Sequence, residues 1–509
     1  MKFRFEYTTK KNINEFLLLS FILFSLAFVL YYIPTPIREY LFLPTLYFAW
    51  KSKKDYFWIA LFFLMTDVPG GLFSGMEKID PYGLPMYRFG AFSISILELF
   101  YLVIFLKAIN KSNKERQIHN FFKVDLMFIT GLFFILIIVS LALGTSYVSM
   151  KLMYKTMIYL TLFYSFYKLI DSKEKLFRFF GLLFPFAFLA VSLQLFSLIF
   201  KRQLVSLFKP GVTVTQGVLQ VAEGTHAWVR PIEMAHVLLI CFAATLFLIS
   251  FKKHNYNRTY LMTVNLVSFF GILLTGTRSW ILAFLAAYFF FFIVTYKNTK
   301  TLLKMLLVSG ALGAVIIYFV PVLEQQAISA WSRFMTVQDI VQGDITAGGT
   351  MGRYDQRAPY VMEGFYSSTI FFGAGFSDHF YAYADGHVGY HNILLNTGIL
   401  GSLIFLFFLL RLLFYPFKKK GRQKNIDTSW LKVSILPLII LLVLNSGTQT
   451  LGFTPDGSNR FILMAVAFVL VNLSVTLSRE KKSYNYLNNL VTINKSKELN
   501  ISETTKHIH

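Results

Sequence analysis

Three arginines and one histidine stand in sequence contexts where chemistry is possible. Arg230 lies in Trp228-Val-Arg-Pro-Ile-Glu233, Arg278 in Thr275-Gly-Thr-Arg-Ser279, and Arg353 in Gly352-Arg-Tyr-Asp-Gln-Arg357. A guanidinium is built for a bidentate grip on phosphate or carboxylate. His391 opens Gly389-Tyr-His-Asn-Ile-Leu-Leu-Asn-Thr-Gly-Ile-Leu-Gly401. A neutral imidazole there can take a proton from an attacking hydroxyl. Asn392 is placed to hold that ring or a substrate. Arg357 and Glu233 are further candidates, Glu233 as a partner for an outer arginine. Each has a bland alternative. An arginine near a membrane surface can reach for lipid headgroups, and a histidine there can be satisfied by a carbonyl.

These residues need a scaffold, and composition says which kind. Of 509 residues, 55% are hydrophobic and only 15% charged. Soluble domains carry about 25% charged residues. The apolar residues come in blocks of roughly 20, the length that crosses about 30 Å of hydrocarbon. Fourteen candidate spans result: 15–33, 37–50, 56–74, 89–106, 125–144, 152–170, 176–199, 231–250, 260–276, 279–296, 302–322, 391–413, 433–452 and 461–478. The second is short. The ninth and tenth form a tight hairpin at Thr277–Arg278. The expected fold is an all-α polytopic bundle of about 12–14 transmembrane helices over 1–478, followed by a polar tail at 479–509. The first apolar run lacks a small-x-small cleavage site and is expected to stay as an anchor.

The net charge of +23 would suggest nucleic acid in a soluble protein. Here it sorts by side instead. With alternating spans, 33 of the 49 Lys and Arg fall on one side and 14 on the other, while Arg411 and Lys432 flank span ends on the richer side. The positive-inside rule puts the rich side, and both termini, in the cytoplasm. Arg230, Arg278, Arg353 and His391 all fall on the opposite side. Two segments there are long, 201–230 and 323–390. The second is expected to fold into short helices over the bundle.

Other chemistries have weaker signals. Asp378, His379, Asp385, His387 and His391 crowd together, and His387 and His391 have a helical ligand spacing. Gly386 and Gly389 argue against a helix there, so no metal is expected. Asp67, Glu98, Glu233 and His236 are ionisable residues inside apolar spans, and so functional candidates. Cys241 is the only cysteine, which leaves no intrachain disulfide. No phosphate-binding loop, dinucleotide fingerprint or nucleophile elbow is present, and no cofactor is expected. No internal repeat supports an inverted-repeat transporter.

Taken together, the landmarks resemble the O-antigen ligase and Wzy-type polysaccharide polymerase superfamily, most clearly over 230–410. Arg230-Pro231 resembles the family's first outer-loop arginine. Thr275-Gly-Thr-Arg278 resembles its Thr-x-Ser-Arg hairpin, with Thr277 replacing Ser. Gly352-Arg353 and Phe372-Gly-Ala-Gly-Phe376 resemble the start of its large outer loop, although the downstream Trp is missing. His391-Asn392, Leu394, Gly398 and Gly401 resemble the His-Asn-x-x-Leu…Gly-x-x-Gly signature. The resemblance implies a GT-C-like, metal-independent, inverting glycosyltransferase. It implies a bacterial inner-membrane protein that takes a glycan from undecaprenyl diphosphate at the periplasmic face. The acceptor would be lipid A–core for a ligase, or a second lipid-linked repeat for a capsule, exopolysaccharide or O-antigen polymerase. His391, Arg230 and Arg278 would be catalytic, and Arg353, Arg357, Asn392 and Glu233 would bind substrate. A flippase of lipid-linked glycans and a non-enzymatic partner of a glycan-export complex are the competing readings.

Overall fold

The computed structural model describes residues 9–34, 37–66, 85–89, 92–111, 121–200, 218–223, 226–231, 234–251, 254–295, 356–417, 429–447, 450–452 and 461–478. They are mostly helical. The longer helices are α1 (Thr9–Tyr32), α2 (Ile37–Lys51), α3 (Asp55–Met65), α4 (Ile96–Asn110), α5 (Lys123–Leu143), α6 (Tyr147–Leu169) and α7 (Lys173–Phe200). They continue with α8 (Ala235–Phe251), α9 (Arg258–Leu274) and α10 (Arg278–Thr295). After the short α11 (Ala358–Tyr366) and α12 (Asp378–Tyr383) come α13 (Gly389–Phe414), α14 (Ser429–Val433), α15 (Leu436–Leu444) and α16 (Phe461–Ser478). Among the described residues, five helices are long and apolar enough to cross a membrane: Ile13–Tyr32, Lys123–Leu143, Lys173–Phe200, Gly389–Phe417 and Phe461–Ser478. Shorter apolar helices pack among them. The expected span 302–322 and the tail 479–509 lie outside the described residues.

Among the described residues, two short hairpins stand beside the helices. Strands β1 (Met86–Phe89) and β2 (Phe92–Ser95) pair antiparallel, as do β3 (Val218–Glu223) and β4 (His226–Pro231). The first corrects the start of the expected span at 89–106. Ser95 accepts from the Glu98 amide and Glu98 accepts from the Ser95 amide, a capping box that begins α4 at Ile96. Glu98 is therefore a structural residue. It also takes Lys155 at 3.1 Å and the Tyr159 hydroxyl at 3.3 Å.

Ion pairs gather at one end of the bundle. Glu15 meets Lys54 at 2.9 Å, Asp55 meets Lys107 at 2.7 Å, and Asp171 takes both Lys111 and Lys175. Asp125 meets Arg411 at 2.9 Å. Each of these residues sits at the helix end that charge counting assigned to the basic side. Helix α1 starts at this end. Asn472, near the end of α16, accepts from the Phe121 amide beside Asp125.

Helix α13 is broken. Gly398 has φ 64° and ψ −172°, a backbone state open essentially to glycine. The break frees carbonyls before it and amides after it. The loop Ile370–Gly375 turns back to satisfy both sets. Ala374 and Gly375 donate to the Leu395 and Asn396 carbonyls at 2.7 and 2.9 Å, and Ile399 and Leu400 donate to the Ile370 and Phe371 carbonyls at 3.0 Å. The Asn396 amide donates to the Gly375 carbonyl at 2.5 Å. The sequence suggested that Gly398 lets another helix approach; the element that approaches is this loop. A Cβ on Gly398 would stand 2.4 Å from the Gly373 nitrogen and the Phe371 carbonyl. Gly398→Ala is expected to cost about 3 kcal/mol or more through strain and overlap. Gly131→Ala on α5, where a Cβ meets nothing within 4 Å, is expected to stay within about 0.5 kcal/mol of wild type. Thermal unfolding of the two purified variants checks the contrast.

Candidate functional site

Several helix ends converge at the end of the bundle away from the ion pairs. Helices α9 and α10 form the expected hairpin, turned by Thr275, Gly276 and Thr277. Gly276 has φ 58°, and the Thr275 hydroxyl accepts the Thr277 amide at 3.2 Å. Arg278 is the first residue of α10; its side chain lies outside the described residues. The next turn carries Trp280, whose ring meets His236 of α8 edge-on at 5.5 Å. Helix α10 packs along α15. The far end of α15 holds the start of α13: the Tyr390 hydroxyl donates to the Leu442 carbonyl at 2.5 Å. A Cβ on Gly389 would stand 2.5 Å from the Asn445 carbonyl, so only glycine lets α13 begin this close. Arg278 thus opens a helix that packs along α15, and His391 lies on the first turn of the helix that starts at the far end of α15.

His391 lies on the first turn of α13 and is half-buried. Its ring makes no hydrogen bond among the described residues. Its neighbour behaves differently. Asn392 is fully buried, and its amide grips the backbone of Asp385. It accepts from the Asp385 N–H at 3.0 Å and donates to the Asp385 carbonyl at 2.5 Å. These bonds give Asn392 a positioning role, locking the turn that leads into α13. Within that turn the Asp385 carboxylate accepts the His387 amide at 2.8 Å and meets Arg357 at 3.4 Å. The Arg357 pair is partly exposed and contributes less than about 1 kcal/mol. It nevertheless brings Arg357 to the turn that precedes His391. Sequence reading missed this use of Asp385, although Asp385-Gly-His387 carries the signal of a side-chain-capped turn.

A small apolar core ties this region together. Val361 and Phe365 of α11, Phe380 of α12, and Val388 and Leu395 around α13 pack on one another. These short helices are the ones expected within 323–390, over its described part. The cap is fastened to the bundle by Asp378. Its carboxylate accepts the Ser146 amide at 2.9 Å, the Ser146 hydroxyl at 2.6 Å, and the Ser149 hydroxyl. Those bonds hold the Asp378 carboxyl below the usual aspartate range. His379 bonds to the Gly364 carbonyl at 2.7 Å. Asp378 and His379 thus have structural partners. His387 precedes α13, so His387 and His391 do not share a helix. Among the described residues no group of three or more His, Cys, Asp or Glu is arranged to hold a metal.

The other expected residues are less fully described. Arg230 lies in β4, opposite Leu219 of β3, and the hairpin rests against α7. Its side chain, like Glu233, Arg353 and Asp67 as a whole, lies outside the described residues. His236 lies in the first turn of α8, after Met234 at φ 51°. The chain matches no known family model, and no curated protein matches it.

The Asp378 latch has a definite pH sign. A carboxyl with a lowered folded pKa stabilises the folded contact above its ordinary pKa, near 3.9, and loses that stabilisation as pH falls through the lowered value. The protection of the Tyr147–Ser149 amides, taken relative to the intrinsic exchange rate at each pH, is therefore expected to fall as pH is brought below about 4. Asp378→Asn is expected to show the lower protection already at pH 7, with little further pH response.

Proposed function

We propose that this protein is a membrane glycosyltransferase that moves a glycan from a polyprenyl diphosphate to an acceptor hydroxyl. The observation that carries the reading is the neighbourhood of His391. A half-buried imidazole with no hydrogen bond among the described residues stands at the start of a helix whose entry turn is locked by Asn392. Arg278 opens a helix packed against the same α15. The order of the arginines, the histidine and the two glycines along the chain, with its resemblance to the O-antigen ligase and polysaccharide polymerase superfamily, adds the reaction class.

The chemistry follows from charge. As the glycosidic bond breaks, negative charge grows on the diphosphate oxygens. Arg278 and Arg230, with Arg353 and Arg357, supply positive charge for it. Diphosphate leaves without help from a general acid. The acceptor hydroxyl attacks the anomeric carbon from the opposite face and gives its proton to His391. The new bond forms as the old one breaks, so the configuration inverts. An acceptor on lipid A–core makes the protein a ligase, and a second lipid-linked repeat makes it a polymerase. The ligase is the reading put forward here, with the site facing the periplasm.

Purified protein in liposomes, given a polyprenyl-diphosphate glycan and acceptor, tests this. His391→Ala is expected to lower kcat about 10²–10⁴-fold with little change in donor binding. Arg278→Gln is expected to lower kcat/KM about 10²–10³-fold. Full activity in His391→Ala would overturn the base assignment. Translocation of the donor by wild type without a new glycosidic bond would overturn the enzyme reading.

A further inference from the structure

A second cationic group at the same end of the bundle has no part in the transfer chemistry. Lys151, Tyr154 and Lys155 recur at i, i+3 and i+4, so they share one face of α6. That face looks toward α4 and the first hairpin. Lys155 meets Glu98 there, and the Tyr154 hydroxyl donates to the Ser93 carbonyl. Ser93 is the register partner of Arg88 across β1 and β2. Arg88 and Lys151 are thereby brought to one rim.

Charge accounting over the described residues leaves these two without a counter-ion. Glu98 is nearly inaccessible and already holds Lys155, the Tyr159 hydroxyl and the Ser95 amide. Asp378 is committed to Ser146 and Ser149 on the first turn of α6. Glu39 lies beside Tyr87, whose hydroxyl donates to the Glu39 carbonyl. Side chains alternate along a strand, which puts Arg88 on the other face of β1. Neither Arg88 nor Lys151 has an anionic partner among the described residues. Arg88 is exposed and Lys151 half-buried. Both stand at the end of the bundle where positive charge is scarce.

We propose that Arg88 and Lys151 form an anion subsite, separate from Arg278, that takes the phosphate of a membrane-borne molecule. An arginine fork and a lysine point charge suit phosphate oxygens. The level of the site, at the ends of α4 and α6, suits a phosphate carried on a lipid. Two sources share that chemistry: an anionic phospholipid headgroup and the diphosphate of a second polyprenyl-linked molecule. The Arg88–Lys151 equivalent is independent of the transfer reading; only the other equivalent, at Arg278, rests on it.

The test uses the full-length protein in nanodiscs of zwitterionic lipid, titrated with sugar-free polyprenyl diphosphate and read by native mass spectrometry. Wild type is expected to hold two equivalents. Arg88→Gln with Lys151→Gln is expected to weaken one of them by about tenfold or more, as loss of charged hydrogen bonds does. Arg278→Gln is expected to leave that equivalent in place. The charge-keeping pair Arg88→Lys and Lys151→Arg retains it and guards against a folding effect. If added phosphatidylglycerol displaces this equivalent, the headgroup is the occupant; if it does not, the diphosphate is. Binding that is the same in wild type and the double Gln variant, with equal melting temperatures, would overturn the proposal.

Discussion

Inside a hydrocarbon layer a backbone amide or carbonyl has no water to bond, and each one left alone costs several kcal/mol. Helix α13 breaks at Gly398, within a stretch apolar enough to span a membrane. The break is sustainable because Ile370–Gly375 bonds to both of its lips. That exchange fixes more than one helix. It pulls the Phe371–Phe376 segment against α5, where Ser140 accepts the Phe376 amide at 2.6 Å. It sets the chain between the loop and the break, which is where α12, the Asp385 turn and His391 lie. The candidate base is therefore held by backbone geometry as much as by side chains.

Electrostatics divides the molecule along the other axis. At one end, buried or half-buried carboxylates each take a lysine or arginine from a neighbouring helix. Removing one partner of such a pair strands a charge, which makes these contacts fasteners of helix register. At the opposite end, carboxylates bond to amides and hydroxyls more than to cations, as Asp378 and Glu98 show. Arg88 and Lys151 are left there without an acidic partner among the described residues. An anionic ligand is the natural complement of that arrangement, whichever arginine receives it.

Much of the scaffold was legible in the sequence. Apolar blocks gave the helices, because a lipid-crossing helix needs little more than length and composition. The Thr275–Arg278 turn was legible because a single glycine between two apolar runs leaves few alternatives. The break at Gly398 was not legible, since hydropathy does not record a backbone dihedral. Gly398 and Gly401 look the same in sequence, yet only Gly398 has positive φ. The capping box at Ser95 and Glu98 was visible as a motif, but the apolar setting of Glu98 suggested chemistry instead. Asn392 was read as holding the histidine ring or a substrate. Its burial and its two bonds to Asp385 could not be inferred without the fold of the intervening turn.

The central claim is that a glycan leaves a polyprenyl diphosphate at the His391 end of this protein. The most direct measurement is made on a clean deletion strain, with surface glycans run on a gel and lipid-linked intermediates extracted alongside. The account predicts that glycan builds up on polyprenyl diphosphate while its acceptor stays unmodified. Long lipid-linked chains over bare core would assign a ligase, and single repeats with no long chains a polymerase. Unchanged surface glycan with no accumulated intermediate would contradict the account.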